Sequence, residues 1–391
     1  MNEPQEPVAA KTRVAVIFGG RSPEHAVSCL GAGHIMAALD PSRYEVVPVG
    51  ITRDGRWVLA SGDPARLAVT SGGLPSVDAL AAPGTEVAAR LDPLTRGLVV
   101  TPPGEVPHSL GEVDVVLPLL HGFAGEDGTI QGLLEMAGTP YVGAGVLASA
   151  ASMDKEYMKL VFAARGLPIV RHVVVRDRDW RLTDAEGSAV HRPNAERKRV
   201  LDEISELGLP VFVKPARGGS SIGTSRVTDA TGLEDAIELA REHDLKVIVE
   251  AAAAGMEVEC AVLEGAPGRP PEASLPAQVL VGGDSEFYDF RAKYLEADTR
   301  LVIPPPIPDE AVAEVRRLAC AAFEAVSCEG LARVDFFYTP QHEIIVNEIN
   351  TMPGMTPGSG FPLMWEATGV PLPELMDRII ATALRKQPGL R

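Results

Sequence analysis

The chain is short of several things, and each shortage closes off a class of protein. It holds four cysteines (Cys29, Cys260, Cys320, Cys328) in 391 residues, with no CxxC pair and no histidines at zinc-ligand spacing, so neither a disulfide framework nor a zinc site is supported. A reducing compartment, the cytoplasm, is the expected location. No segment approaches eighteen uninterrupted apolar residues, and the opening MNEPQEPVAAKTR lacks an apolar stretch of signal-peptide length, so no membrane role is expected. Cationic residues are outnumbered, 36 Lys and Arg against 53 Asp and Glu, for a formal charge of −17. Nucleic acid is therefore not an expected partner, because a phosphate backbone is met by a basic surface. Repeats and low-complexity tracts are missing as well.

What is present describes a soluble globular protein. Hydrophobic residues make up 46% and charged residues 23%. The length suits about two or three domains with clefts between them. RVAVIFGG (13–20) reads as a buried strand ending in glycines, followed by a helix over about 25–39. YEVVPVGIT (44–52) and VDVVLPLLHG (113–122) read as further strands, and this alternation predicts a Rossmann-like, mostly parallel α/β domain over 1–145. Residues 60–112, dense in Pro, Gly and Ala, are expected to form loops and small elements. SMDKEYMKLVFAARG (152–166) predicts a helix with a serine start and a terminal glycine, and the polar stretch 176–199 an exposed excursion. Beyond it the pattern mixes helices with antiparallel strands: an amphipathic helix at 309–326, then LARVDFFY and EIIVNEIN paired across the turn TPQH. Two α+β parts follow, 146–249 and 250–391, so the fold class is α/β, α+β overall.

One stretch asks for a ligand. KPARGGSSIG (214–223) packs three glycines, two serines and two basic residues into ten positions, which suits backbone amides approaching phosphate oxygens. It matches neither GxxxxGK[ST] nor GxGxxG, since its lysine precedes the glycines and IGTSRV resumes a strand. The stretch reads as a hairpin able to fold over a triphosphate; the residues alone leave an ordinary glycine hairpin equally open. Nearer the end, Arg333 and Asp335 lie two apart on one strand, and Glu348 and Asn350 two apart on its partner. Each pair shares a face. Three oxygen donors and one arginine on one surface suit Mg²⁺ held jointly with nucleotide phosphates.

Seven motifs in order carry a resemblance: GGRSPEHAVS (19–28), HGFAGEDGTIQG (121–132), MDK (153–155), VKPARGGSSIG (213–223), FYDFRAKY (287–294), ARVDFF (332–337) and NEINTMPGMTP (347–357). With them the chain resembles the D-alanine:D-alanine ligases of the ATP-grasp superfamily over nearly its whole length. The resemblance implies an ATP-grasp fold whose two later parts clamp ATP. It implies a reaction in which the carboxylate of one D-alanine takes the γ-phosphate, and the amine of a second displaces phosphate from the acyl phosphate.

The residue roles implied run as follows. Asp335, Glu348 and Asn350 would hold Mg²⁺ or Mn²⁺, two ions in all. Lys155 and Lys214 would contact the α- and β-phosphates and Lys293 the transferred one, while the loop Arg217, Gly219, Ser220 and Ser221 would cover them. Adenine would be held by the main chain at Glu250 and Ala253, and ribose by Glu257. Arg333 and the Gly354 amide would stabilise the oxyanion. Glu24 would hold the first ammonium with His121 beside it; Ser220 and Tyr294 would join Glu24 in orienting the amine, and Ser359, bordered by Gly360, would anchor the second carboxylate. Taken singly, Glu24 also fits a helix N-terminal carboxylate, His121 and Glu126 a polar turn, Lys155 a surface lysine and Tyr294 a core tyrosine. Gly218, Gly358 and Gly360 depart from the larger residues usual in the family; the first suggests a more mobile flap, and the other two leave D-serine or D-lactate open as second substrate, although the Lys293-Tyr294 pair goes with amine nucleophiles. Another ATP-grasp carboxylate-amine ligase and a non-catalytic nucleotide-binding module are the remaining alternatives. A homodimer is implied by the resemblance alone.

Overall fold

Residues 14–18 are apolar and buried without exception, as a strand covered on both faces requires. The computed structural model describes residues 10–69, 73–80, 85–89, 97–101, 105–180, 195–219, 222–280 and 300–386. They group into two units, Met1–Val146 with Met352–Arg391, and Leu147–Thr351.

In the first unit, β1 (Thr12–Gly19) lies parallel to β2 (Tyr44–Ile51), reached through α1 (His25–Ala38), and parallel on its other side to β7 (Val115–Leu119). Short β3 (Trp57–Leu59) closes the edge antiparallel, giving the order β3-β2-β1-β7. The stretch expected as loops and small elements contains a three-stranded antiparallel sheet of β4 (Val87–Ala89), β5 (Gly97–Val100) and β6 (His108–Glu112). Val87, Leu98 and Val100 of that sheet join the cluster formed by Ile17, Val49 and Val116, so these short strands are held by burial. Helix α2 (Thr129–Met136) completes the N-terminal part.

The second unit opens with α3 (Val146–Met153) and α4 (Lys155–Ala164). Here the structure corrects the single helix expected from Ser152. Asp154 has extended backbone, and its carboxylate accepts the amides of Glu156 at 3.1 Å and Tyr157 at 3.3 Å. Asp154 is therefore the N-cap, and α4 starts at Lys155. A sheet of β8 (His172–Val175), β9 (Val211–Pro215), β10 (Ser225–Val227) and β11 (Val247–Ala251) follows, antiparallel in the order β10-β9-β11-β8. Helices α5 (Asp177–Trp180), α6 (Ala195–Leu207) and α7 (Leu233–Arg241) cover one of its faces. Val211, Val213, Val247 and Val249 pack into that helical side. Strand alternation therefore sends Phe212, Lys214, Ile248 and Glu250 to the other face.

The second sheet of this unit contains β12 (Met256–Leu263), β13 (Glu272–Ala273), β14 (Ala277–Leu280), β15 (Arg300–Val302), β16 (Leu331–Tyr338) and β17 (Ile344–Asn350). Its order is β15-β14-β12-β16-β17 with β13 on β12, and α8 (Asp309–Ala325) packs against it. The chain then returns to the first unit as α9 (Gly360–Ala367) and α10 (Leu372–Arg385). Tyr44 of β2 donates its hydroxyl to Asp377 of α10 at 2.7 Å; burial first, and that carboxylate second, push the phenol up to about 12. His34 of α1 meets the Met355 carbonyl at 2.8 Å.

Candidate functional site

The face of β9 and β11 turned away from the helices lines a cavity of about 220 Å³ wholly within the second unit. Lys155, Lys214, Gly219, Glu250, Ala253, Glu257, Asp335 and Glu348, all singled out by sequence, line it together. Val170, Phe212, Ile222, Val279 and Phe337 add apolar wall. Apolar walls together with two lysine ammonium groups suit a nucleotide.

Two lysines rest on one buried carboxylate. Glu250 is 3% exposed, and its two oxygens go to two ammonium groups, Oε1 to Lys159 at 2.9 Å and Oε2 to Lys214 at 2.7 Å. Burial works to raise the Glu250 pKa, but the ammonium groups of Lys159 and Lys214 outweigh it and hold the carboxyl well below the usual carboxylate range. For Lys214 burial works downward, and Glu250 reverses it to give a net rise. Lys155 donates to the Gly218 carbonyl at 2.7 Å and stands 4.0 Å from Glu348. Its pKa is lowered, chiefly by burial with the Lys214 charge adding to it, while Glu348 opposes.

Across the second sheet, register aligns carboxylates in one row: Glu259 opposite Asp335, and Asp335 opposite Glu348. The next row sets Arg333 opposite Asn350. Arg333 grips Asp335 with two bonds of 2.7 Å and lies 3.4 Å from Glu259; the Asn350 amide donates to Asp335 at 3.0 Å. A bulge between Asp335 and Phe336 drops Asn347 out of register, and the Asn347 carbonyl accepts from Lys159 at 3.3 Å. Among the described residues no three His, Cys, Asp or Glu side chains are gathered as a metal cage. Two carboxylates and an amide on adjacent strands nonetheless fit a hard divalent cation that takes its remaining ligands from phosphate and water.

Arg217 turns elsewhere. Its guanidinium and its own amide all go to Asp244, at 2.6 to 2.9 Å, and it does not line the cavity. A Cβ on Gly218 would meet nothing within 4 Å, and the same holds for Gly358. Ser220, Ser221, Lys293 and Tyr294 lie outside the described residues.

The other singled-out residues belong to the first unit. Glu24 and His121 follow the carboxyl ends of the neighbouring strands β1 and β7, where ligands of such sheets sit. Both are buried. Glu24 holds the N-cap position of α1 without a side-chain cap bond. Its Oε2 reaches beside Gly122, whose φ of +70° favours glycine. His121 Nδ1 lies 3.1 Å from the Met352 carbonyl. Glu126 ties the same two segments, accepting the Gly122 amide at 2.8 Å and the Met352 amide at 3.2 Å. Ser359 precedes Gly360 at the start of α9, its Oγ accepting the Thr356 amide at 2.9 Å, and Gly354 is buried.

Sequence reasoning missed Lys159, Glu259, Phe212 and Asn347. Glu259 had a signal, since it lies two residues after Glu257 on β12 and shares its face. Lys159 had only its place one turn after Lys155, which any surface helix offers.

Comparison with known proteins completes the picture. The chain matches the family models described as D-ala D-ala ligase N-terminus over residues 13–144 and D-ala D-ala ligase C-terminus over residues 161–381. It is 53% identical over 381 residues to a D-alanine--D-alanine ligase of Streptomyces coelicolor, covering 97% of this chain and 95% of the relative. It is likewise 53% identical over 389 residues to one of a Mycobacterium species, with coverage of 97% and 98%. Among solved structures, VanG D-Ala:D-Ser ligase from Enterococcus faecalis is similar with a TM-score of 0.77 at 31% identity, covering 96% of this chain and 100% of that one. The D-alanine-D-alanine ligase from Coxiella burnetii is similar with a TM-score of 0.75 at 32% identity, covering 96% and 94%.

Proposed function

This chain belongs to the D-alanine:D-alanine ligase family, and from that membership we propose a part in the reaction for the residues described above. It is an ATP-dependent ligase with the ATP-grasp fold, joining two D-alanines into the dipeptide used for peptidoglycan precursors. The observation that carries the assignment of roles is the convergence of Lys155, Lys214, Glu250, Asp335 and Glu348 on one cavity.

Lys155 and Lys214 hold the polyphosphate, with Gly219 and its loop neighbours Ser220 and Ser221 over it, Arg217 bracing the loop through Asp244, and Lys293 on the transferred group. Phe212 and the other apolar walls take adenine, with main-chain contacts at Glu250 and Ala253 and ribose on Glu257. The carboxylate of the first D-alanine attacks the γ-phosphorus, ADP leaves, and an acyl phosphate forms; the second amine adds to its carbonyl, and phosphate departs. Arg333, aided by the Gly354 amide, meets the negative charge that grows on the carbonyl oxygen. Glu24 receives the first ammonium with His121 alongside, Ser359 and the start of α9 receive the second carboxylate beside Gly360, and Tyr294 with Ser220 orients the amine. Asp335, Glu348 and Asn350 would hold Mg²⁺ or Mn²⁺, two ions in all, which when bound neutralises charge on the triphosphate. The working division is 1–145 for the amino-acid part, 146–249 for the flap-bearing part and 250–391 for the metal-binding part. We propose a cytoplasmic homodimer, whose mass light scattering reads directly.

The fold likeness to a D-Ala:D-Ser ligase favours D-serine as a second reading for the second substrate. One experiment separates these. Purified protein with Mg·ATP is given D-alanine alone, then D-alanine with D-serine or D-lactate, and ADP release and product mass are followed. D-alanine alone is expected to sustain turnover and yield D-alanyl-D-alanine. Phosphate release that ignores the amino acid, or equal use of L-alanine, would end the ligase reading.

A further inference from the structure

Lysine 159 is an odd residue to bury. It is 1% exposed, on the inner side of α4, and it shares the Glu250 carboxylate with Lys214. Desolvating an ammonium costs several kcal/mol, and Glu250 already has Lys214 as a partner, so a neutral closed pair was available without it. An apolar residue at this place would serve packing equally well. The structure instead assigns each Glu250 oxygen to a different ammonium, so this triad carries one net positive charge, with the carboxylates of Glu348 and Glu257 acting on Lys214 from outside it.

We infer that Lys159 is a positioning residue for the nucleotide: by holding Oε1 of Glu250 it halves that carboxylate's claim on Lys214 and leaves the Lys214 ammonium net charge to offer the polyphosphate. This rests on the proposed reading of the cavity. Without Lys159, the full charge of Glu250 falls on Lys214, and the cavity end that faces phosphate loses one positive charge. A second observation ties Lys159 to the same task. It also donates to the carbonyl of Asn347, the residue the bulge removes from register, immediately before the proposed metal ligand Glu348. One buried ammonium thus fixes the depth of the lysine strand and of the metal strand together.

The test is a charge-balance cycle read in steady-state kinetics with saturating D-alanine, using Lys214→Ala, Lys159→Met, Glu250→Gln and the double variant Lys159→Met/Glu250→Gln. Lys159→Met is expected to raise KM for ATP about tenfold or more, the effect of one missing charge at low dielectric, with the loss falling on KM and not on kcat. In the double variant the carboxylate that would capture Lys214 is gone as well, and KM for ATP should return to within about threefold of the parent. A purely structural lysine would give a double variant at least as poor as the single one, and that result overturns the inference. If Lys159→Met fails to fold, the comparison of Glu250→Gln with the double variant decides alone: removing Lys159 should then cost less than about threefold, and a loss of tenfold sinks the idea. Lys214→Ala separates the two readings. If it leaves KM for ATP untouched the cavity is not the nucleotide site; if it raises KM while Lys159→Met does not, the cavity stands and the role of Lys159 falls.

Discussion

Replacing Arg333 by alanine tests the chemistry most directly. In the folded protein the guanidinium makes two 2.7 Å bonds to Asp335 and lies 3.4 Å from Glu259, so its plane is fixed from two sides before any substrate arrives. A preorganised donor aimed at growing oxyanion charge is worth roughly 10²–10³ in kcat, about 2.7–4 kcal/mol. The substitution also leaves two part-buried carboxylates without their shared cation. Charge-assisted bonds of this kind contribute about 1.5–3 kcal/mol each, and solvent at the site trims that, so a loss of about 2 kcal/mol is expected. In a unit of this size that is a fall of roughly 4–8 °C in Tm. Because Arg333 does not line the cavity, KM for ATP should stay within about twofold. Coupled ADP release gives kcat and KM, and differential scanning fluorimetry gives Tm. Arg333→Lys, which keeps charge but loses the two-pronged grip, should fall between parent and alanine. A variant with near-normal kcat and a greatly raised KM for ATP would refute the reasoning and make Arg333 a nucleotide ligand.

Three further outcomes follow from the same geometry. The Lys155 pKa is lowered in the free protein, chiefly by burial, and a bound triphosphate should raise it again, so nucleotide binding should take up protons increasingly as pH climbs toward that lowered value; calorimetry in buffers of different ionisation enthalpy reads this, and equal uptake in Lys155→Met would disprove it. Glu126→Ala frees the buried amides of Gly122 and Met352, which should cost about 1–3 kcal/mol and raise KM for D-alanine more than KM for ATP; an unchanged Tm would show that the tie is not made. His25, whose pKa is lowered chiefly by burial, accepts the Val77 amide at 3.1 Å on Nε2 and lies 2.7 Å from the Gly20 carbonyl through Nδ1. Its contribution is present above the unfolded value near 6.5 and is lost as pH falls through the lowered folded value, so Tm should drop on acidification and drop less in His25→Gln; parallel pH profiles would assign the drop to other groups.

The β16–β17 hairpin was legible because a strand alternates with period two: Arg333 with Asp335, and Glu348 with Asn350, could be set on one face from spacing alone, and register then aligned the pairs. The buried strand β1 was legible for the same kind of reason, as an unbroken apolar run. Where the outcome depended on a partner distant in the chain, spacing carried no information. Nothing near Lys159 announces that Glu250, 91 positions later, will need its charge divided. The β4–β6 sheet was hidden because its strands are short and set among prolines and glycines, and are held by the cluster they bury into. Asp154 was misread inside a helix because capping depends on its extended backbone, which composition does not reveal. The motif HGFAGEDG was read as a signature, yet its Glu126 serves to fasten a segment more than two hundred residues on.

The first unit is sewn from both ends of the chain, with Met355 against α1 and Asp377 against β2 contributed by its last segment. During synthesis, the roughly 200 residues of the second unit must emerge before that segment exists, a delay of about 10–40 s at ~5–20 residues per second. Over that interval the second unit can fold as a continuous stretch while the N-terminal sheet waits, the partners of its Tyr44 and His34 still untranslated. Chains truncated after Thr351 and released from the ribosome should therefore give a protease-resistant second unit and a first unit that is still cut. The proposed amino-acid pocket around Glu24 and His121 would be the last thing the ribosome completes.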